Sequence, residues 1–261
     1  MSVWDGLVLG LVQGLTEFLP VSSDGHLVLV GTLLGVATPG VFVEVALHVA
    51  TLGAVLAVFG ARLVALLRDA LRGNGVALRY LGLLALATVP AGLVGLLLKS
   101  LVERTFDSLW FAGAGFLVTG VMLWTTRGHG GTGSRALPRA GAALAIGAGQ
   151  ALAILPGVSR SGMTVGLGLW SALTPAAAAE FSFLLAVPVI AGAAVLELPT
   201  ARADIHAVGL TPLLVSCAVA LASGIVAIRW LLAVLRRGRL HAFAPYCWAV
   251  GLFTLAYAVW R

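Results

Sequence analysis

The sequence predicts an all-α integral membrane protein in which six full transmembrane helices and two re-entrant helical hairpins form an inverted-topology repeat. Three observations predict this fold: an apolar composition, six long apolar stretches, and two broken apolar regions that resemble each other. Of the 261 residues, 60% are hydrophobic and only 10% are charged, about half the charged share of soluble domains. The chain is therefore expected to form a single polytopic membrane domain over residues 1–261.

The long apolar stretches give the expected number of membrane crossings. A helix needs about 20 residues to cross a hydrocarbon core about 30 Å thick. The stretches that meet this length are residues 42–60, 80–98, 108–126, 178–198, 209–231 and 243–260. Regions 1–40 and 141–177 are also apolar, but glycine, proline, serine and charged residues interrupt them, so each is interpreted as a re-entrant hairpin. The two repeats are expected to cover about 1–126 and about 141–260.

The basic residues predict the orientation of the chain. Lys and Arg number 16 against 10 acidic residues, a formal charge of +6. If each hairpin returns to the side it entered from, loops 61–79, 127–140 and 232–242 share one face and contain ten basic residues. The opposite face contains Lys99, Arg104, Arg202 and Arg261. The Arg-rich face is expected in the cytoplasm and both termini outside, and this distribution suits membrane orientation rather than nucleic-acid binding.

The two broken regions share a pattern at a constant offset. Gln13 precedes Ser22 by nine positions and Gln150 precedes Ser159 by nine, so both pairs are offset by 137 residues. In the expected topology the first hairpin enters from outside and the second from the cytoplasm, which makes the repeat inverted. Inverted repeats bring broken helices together near the membrane midplane, with helix N-termini that favour anions. An anion site between the hairpins is therefore expected.

The first hairpin contains residues suited to metal or phosphate chemistry. Gln13 and Glu17 are four residues apart, so on a helix they share a face and can both direct an oxygen at a cation or a water molecule. His26 is close enough along the chain to exchange a proton with the site. Hydroxyls and backbone N–H groups typical of an oxyanion site occur where the next helix begins, at Ser22, Ser23 and Asp24.

The second hairpin places a guanidinium at membrane depth. Arg160 lies between Ser159 and Ser161 and can bind phosphate oxygens through two hydrogen bonds, while Gly157 allows the backbone to approach a ligand. An unpaired arginine at this depth is costly, so an anion is expected to meet it. The candidates are a phosphorylated substrate and the acidic residues Glu17, Asp24, Glu44 and Glu180. His48, in the next apolar stretch, is interpreted as a packing residue.

Both stretches resemble motifs of the undecaprenyl-diphosphate phosphatase family, integral membrane enzymes also known for bacitracin resistance. The first motif, Glu or Gln, three residues and Glu, running into Phe-Leu-Pro-Val-Ser-Ser-x-Gly-His, matches Gln13 to His26. The second motif, Pro-Gly-x-Ser-Arg-Ser-Gly-x-Thr, matches Pro156 to Thr164. The resemblance implies hydrolysis of undecaprenyl diphosphate to the monophosphate and inorganic phosphate in the bacterial plasma membrane, which renews the lipid carrier for cell-wall precursors.

The resemblance also implies roles for individual residues. Ser23 would be the nucleophile and His26 its acid/base partner, while Glu17 and Gln13 would hold a divalent cation, Mg²⁺ or Ca²⁺, or orient water. Arg160 would clamp the diphosphate. The other residues implied to bind substrate are Ser22, Gly157, Ser159, Ser161 and Thr164. The topology opens the first hairpin outward, so the active site is expected to face the periplasm or the exterior.

Two positions depart from the family pattern. Position 13 is Gln where many members have Glu, so one negative charge is lost from the expected metal site. Asp24 stands where Thr is frequent. Its carboxylate would either replace the lost charge as a metal ligand or pair with Arg160 and lower activity, and the sequence leaves both open.

Two other functions are alternatives to hydrolysis. A polyprenyl-phosphate flippase or transporter is one, because inverted repeats with broken helices are typical of secondary transporters. A non-catalytic lipid-binding homologue is the other, if Gln13 and Asp24 abolish metal binding. Ser23 beside His26 favours hydrolysis, since a carrier needs no nucleophile and acid pair. The expected partners are a polyprenyl diphosphate lipid and the bilayer, with a homodimer as an open alternative.

Overall fold

The structure is a computed structural model that describes residues 1–35, 40–98, 101, 104–105, 108–129, 133–197, 199 and 201–261. Over these residues the regular secondary structure is helical, apart from one isolated bridge between Arg135 and Leu173, which confirms the all-α prediction for them. The α-helices are α1 (Val3–Phe18), α2 (Ser23–Leu34), α3 (Gly40–Leu71), α4 (Gly75–Leu97), α5 (Leu109–Thr125), α6 (Ala140–Leu152), α7 (Arg160–Trp170), α8 (Pro175–Glu197), α9 (Ala201–Val208), α10 (Leu210–Arg236) and α11 (Ala244–Trp260), with a 3₁₀ helix at Leu240–Phe243.

Five segments of the described chain are long and apolar enough to cross a membrane. They are Phe42–Leu71, Gly75–Leu97, Pro175–Leu196, Leu210–Arg236 and Leu240–Trp260, and the protein is a multi-pass membrane protein. The sixth predicted span, residues 108–126, forms α5, whose 17 residues give a length of about 25 Å at about 1.5 Å per residue. Because the hydrocarbon core is about 30 Å thick, the count of six spans stays a prediction.

Two long helices extend beyond the predicted spans. Helix α3 continues to Leu71 although the sequence predicted a loop from residue 61, and α10 continues to Arg236, inside the predicted loop 232–242. The additional turns are rich in Ala, Leu and Arg, which are strong helix formers. The helices therefore continue after the uncharged apolar stretch has ended.

Two of the basic residues counted for the opposite face lie outside the described part of the structure. They are Lys99 and the side chain of Arg202.

Each broken region forms two helices separated by a short break, with α1 and α2 in the first and α6 and α7 in the second. A serine caps the second helix of each pair. The Ser22 hydroxyl accepts from the Gly25 N–H at 3.4 Å, and the Ser159 hydroxyl accepts from the Gly162 N–H at 3.1 Å. The two helices of each pair also pack against each other, so each region forms a helix pair, and its re-entrant path in the membrane stays a prediction.

Glycines bring the first helix of each hairpin into backbone contact with a long helix. A Cβ at Gly10 of α1 would lie 2.3 Å from the Ser216 carbonyl oxygen of α10. In the second hairpin, a Cβ at Gly147 of α6 would lie 2.3 Å from the Ala87 carbonyl oxygen of α4. Small residues at such crossings let helix backbones approach closely in membranes. The hairpins are thereby packed tightly against α10 and α4.

Candidate functional site

The breaks of the two hairpins lie against each other in the interior. A Cβ at Gly25 of α2 would lie 2.7 Å from the Gly157 Cα in the second break. Gly157 has a φ of +87°, which favours glycine, and a Cβ there would lie 2.0 Å from the Ala112 carbonyl oxygen of α5. The Ser161 hydroxyl donates to the Leu19 carbonyl oxygen at 3.1 Å. These contacts bring the two sequence motifs together.

The Glu17 carboxylate is the anion that meets Arg160. Arg160 Nη2 donates to Glu17 Oε1, and the exposed fractions of the two side chains are 15% and 3%. Among the four acidic candidates, the partner is therefore Glu17, which lies on the opposite hairpin. The other terminal guanidinium nitrogen, Arg160 Nη1, is buried and has no hydrogen-bond partner in the described part of the chain.

Glu17 also accepts hydrogen bonds from its own hairpin. Ser23 Oγ donates to Glu17 Oε2 at 2.6 Å, and Gln13 Nε2 donates to the same oxygen at 3.1 Å. Ser23 is the first residue of α2, so its hydroxyl lies at a helix N-terminus, where developing negative charge is stabilised. A hydroxyl bonded to a carboxylate is arranged to transfer its proton as its oxygen attacks an electrophile.

His48 of α3 belongs to the site, although the sequence favoured a packing role for it. His48 Nε2 lies 3.2 Å from Glu17 Oε2 and 3.5 Å from Asp24 Oδ1, and Nδ1 donates to the Glu44 carbonyl oxygen at 2.7 Å. Asp24 therefore pairs with His48 rather than with Arg160. The available sequence signal was the four-residue spacing of Glu44 and His48, the same as that of Gln13 and Glu17.

Both ring nitrogens of His26 have partners other than the Ser23 hydroxyl. His26 Nδ1 donates to the Ser22 carbonyl oxygen at 2.7 Å, and Nε2 lies 2.8 Å from the Tyr246 hydroxyl of α11. The His26 ring also contacts Phe116 edge-on, with centroids 4.9 Å apart. In this arrangement the partner of Ser23 is Glu17. The acid/base role of His26 stays a prediction.

The other residues predicted to bind substrate hold the second break in shape. The Thr119 hydroxyl of α5 donates to the Gly157 carbonyl oxygen and accepts from the Ser159 N–H, both at 2.8 Å. The Thr164 hydroxyl donates to the Arg160 carbonyl oxygen at 2.8 Å, and lies 2.6 Å from the Ser182 hydroxyl of α8. These contacts fix the start of α7, where Arg160 lies.

A cavity of about 510 Å³ lies beside the Glu17–Arg160 pair. Its polar end is lined by Glu17, Ser22, Ser23, Asp24, Glu44, His48, Gln150, Ser159 and Arg160. The other predicted site residues, Gln13, His26, Gly157, Ser161 and Thr164, are not among its lining residues. Apolar walls come from α4 and α8, where Leu96 and Leu196 are also exposed at the surface of the molecule. A polar end joined to an apolar wall suits an amphiphilic ligand.

The match to a known family covers nearly the whole chain. A family model described as bacitracin resistance protein BacA matches residues 6–253, a range that includes both hairpins and the Glu17–Arg160 pair. The chain belongs to the bacitracin resistance protein BacA family. This membership confirms the resemblance found in the two motifs.

Curated relatives of this BacA family chain are similar over nearly their full length. The undecaprenyl-diphosphatase of Desulfatibacillum aliphaticivorans is 40% identical over 267 residues, covering 95% of this chain and 96% of the relative. That of Rhodopirellula baltica is 42% identical over 259 residues, covering 95% of each chain. That of Carboxydothermus hydrogenoformans is 38% identical over 260 residues, covering 98% of this chain and 97% of the relative.

Proposed function

We propose that this protein is an undecaprenyl-diphosphatase of the bacterial plasma membrane, which hydrolyses undecaprenyl diphosphate to undecaprenyl phosphate and inorganic phosphate and thereby confers bacitracin resistance. The observation that carries the proposal is the contact of Ser23 and Arg160 with one carboxylate, Glu17, beside a cavity with a polar end and apolar walls. Relatives similar over nearly their full length and named undecaprenyl-diphosphatase support the choice of substrate.

The contacts support a nucleophilic mechanism. As Ser23 Oγ attacks the terminal phosphorus, Glu17 Oε2 accepts its proton across the 2.6 Å hydrogen bond. An O–P bond to Ser23 forms, the anhydride O–P bond breaks, and undecaprenyl phosphate leaves; water then hydrolyses the phosphoserine and releases phosphate. Arg160 Nη1, which has no partner among the described residues, donates to a phosphate oxygen and stabilises the transferred charge.

His26 has two proposed contributions. Its contact with the Ser22 carbonyl oxygen holds the backbone just before Ser23, which positions the nucleophile. The acid/base role implied by the family requires the ring to leave Tyr246, its present partner at 2.8 Å. Loss of activity in His26→Phe but not in Tyr246→Phe would support the acid/base role, whereas similar losses in both would support positioning.

The proposed divalent cation, Mg²⁺ or Ca²⁺, has oxygen atoms available to it. Gln13 Oε1 and Asp24 Oδ1 are buried without a hydrogen bond in the described residues, and hard cations prefer oxygen ligands. No group of three or more His, Cys, Asp and Glu side chains suited to a metal occurs in the described residues. The ion would be held by Glu17 and Gln13, with Asp24 as a further candidate ligand, and when bound it would supply positive charge to the phosphate oxygens.

The proposal includes the inverted repeat, with six spans and two re-entrant hairpins. The helix packing supports this, because the first helix of each hairpin packs on a long helix of the other half. Helix α1 of the first half packs on α10 of the second, and α6 of the second half packs on α4 of the first. The glycines that allow this packing, Gly10 and Gly147, are 137 residues apart. This is the offset that relates the two motifs, as a pseudo-two-fold axis requires.

The site is proposed to face the exterior. Its cavity is lined by the N-terminal part of α3, with Glu44 and His48, and by the C-terminal parts of α4 and α8, with Gly95 and Leu196. In the proposed topology these helix ends lie opposite the Arg-rich loops. Because Arg-rich loops favour the cytoplasm, the cavity opens on the periplasmic or outer side.

Phosphate release by the purified protein tests the proposal. With undecaprenyl diphosphate in detergent and Mg²⁺ or Ca²⁺, Ser23→Ala is expected to lose at least about 100-fold in rate. Arg160→Lys keeps the charge but not the two-armed geometry, and a loss of similar size is expected. The matched control is Ser223→Ala on α10, whose hydroxyl bonds to the Val219 carbonyl oxygen of its own helix. Wild-type rates in Ser23→Ala and Arg160→Lys would refute the site.

A flippase is the second candidate, because inverted repeats in which each hairpin packs on a helix of the other half are typical of transporters. A transporter of polyprenyl phosphate would retain transport across proteoliposomes in Ser23→Ala, while a hydrolase loses phosphate release. Wild-type binding of the lipid with neither transport nor release would instead identify a non-catalytic lipid-binding homologue. Proposed homodimer formation is tested separately by the mass of the detergent-solubilised protein.

A further inference from the structure

Gln150 of α6 is buried in the cavity wall without a hydrogen-bond partner. Its residue exposure is 2%, it lines the cavity, and neither Oε1 nor Nε2 has a partner among the described residues. Leaving a buried amide unpaired destabilises the folded protein, so a ligand that pairs with it is indicated. The equivalent residue in the first hairpin, Gln13, differs because its Nε2 donates to Glu17.

The surroundings of Gln150 indicate an anionic ligand. Arg160, on the same hairpin, lines the same cavity and also has an unpartnered donor, Nη1. The next lining residues along the chain, Ala153 and Ile154, are apolar and offer no competing acceptor from their side chains. A glutamine amide presents two N–H donors from Nε2, and phosphate oxygens are strong acceptors.

We infer that Gln150 is a substrate-binding residue whose Nε2 donates to a phosphate oxygen of a diphosphate ester held in the cavity beside Arg160. The assignment of the ester as undecaprenyl diphosphate rests on the proposed function. The assignment of Gln150 to a diphosphate rests on the cavity, on the unpartnered amide and on the Arg160 guanidinium that lines the same cavity.

Gln150→Leu distinguishes a ligand-binding role of the side chain from a structural role, because it keeps the approximate size of the side chain and removes its capacity to form hydrogen bonds. The KM for undecaprenyl diphosphate is expected to rise about 10- to 100-fold, as for the loss of a hydrogen bond to a charged group, while kcat changes less than about threefold. The unfolding midpoint without ligand is expected to stay the same or rise, since the variant buries no unpaired amide. A merely structural role for the amide predicts a lower midpoint and an unchanged KM.

Gln13→Leu provides the contrast. It removes a donor to Glu17, which accepts the Ser23 proton, so a fall in kcat larger than the rise in KM is expected. If Gln150→Leu does not fold, Gln150→Met offers an unbranched side chain of similar length, and the same KM increase is expected.

Inorganic diphosphate makes the result independent of hydrolysis. It is expected to raise the unfolding midpoint of the wild type, and this shift is expected to be lost in Gln150→Leu and kept in Ser223→Ala. If the midpoint shift is seen in the wild type and lost in Gln150→Leu, but the wild type hydrolyses no polyprenyl diphosphate, the proposed function fails while the assignment of Gln150 stands. Equal KM values and equal midpoint shifts in Gln150→Leu and wild type would overturn the assignment, and so would the absence of any shift in the wild type.

Discussion

Glu17 is in contact with both halves of the chain. One oxygen accepts from Arg160, and the other accepts from Ser23 and Gln13 and lies near His48. A single carboxylate therefore orients the nucleophile and balances the guanidinium that is proposed to bind phosphate. A substitution at Glu17 is therefore expected to disturb both the nucleophile and the guanidinium.

Glu17→Gln is expected to lower phosphate release by at least about 100-fold and stability by about 3–5 kcal/mol, because it leaves Arg160 as an uncompensated buried charge. The matched control is Glu180→Gln, which breaks an ion pair with Arg62 at 2.9 Å whose side chains are 28% and 47% exposed. Exposed pairs contribute less than about 1 kcal/mol. Denaturant titration in detergent micelles compares the two, and equal destabilisation would contradict the importance of the Glu17–Arg160 pair.

Asp24→Thr is expected to leave activity within about tenfold of the wild type. The cationic side chain within ion-pair distance of Asp24 in the described residues is His48, at 3.5 Å, and the hydrogen bonds from Ser23 and Arg160 to Glu17 do not involve Asp24. Kinetics at several Mg²⁺ concentrations provide the measurement. A complete loss, or an activity recovered only at high Mg²⁺, would instead identify Asp24 as a ligand.

Sequence patterns predicted some of these residues better than others. Arg160 required an anion because an unpaired charge at membrane depth is costly, and Ser23 followed a helix break, so their place in the site was predictable. His48 was not predicted, since its contacts with Glu17 and Asp24 depend on how α3 packs against the first hairpin. The orientation of His26 depends on Tyr246, 220 residues away along the chain, and no local pattern contains that information.

At the scale of helices, backbone contact at glycines determines how the hairpins pack. The contact of Gly147 with the Ala87 carbonyl oxygen holds α6 close to α4, and α6 leads directly into the second break. Apolar length predicted which segments are helical. It did not predict where α3 and α10 end, because helix propensity continues past the apolar stretch into residues with charged side chains.

Gly147→Ala is expected to destabilise the protein by about 1–3 kcal/mol, because the added methyl group has to displace backbone atoms. Gly141→Ala on the same helix is the matched control, since a Cβ at Gly141 has no atom within 4 Å. Gly141 is the second residue of α6, outside the helix interior, so this replacement is expected to change the stability by less than about 0.5 kcal/mol. Unfolding midpoints in detergent measure both, and equal shifts would show that the α4–α6 contact is loose.

At the scale of the whole molecule, charge distribution predicts the side on which the cavity opens. Single cysteines introduced at Arg72 and at Arg261, in a background with Cys217→Ala and Cys247→Ala, report this orientation. A membrane-impermeant maleimide is expected to label Arg261→Cys in intact cells, and Arg72→Cys only after permeabilisation, because Arg-rich loops favour the cytoplasm. The reverse pattern would place the cavity on the cytoplasmic side.

The partnership between Glu17 and Arg160 also bears on biogenesis. The two residues are separated by 143 positions, so at about 5–20 residues per second a ribosome needs roughly 7–30 s to reach the second after the first. During that interval the nascent first hairpin has a carboxylate whose arginine partner has not yet been synthesised. Its stable insertion in lipid is therefore expected to come late, after the second hairpin emerges, which makes the nascent chain a candidate client for insertion machinery that shields polar groups.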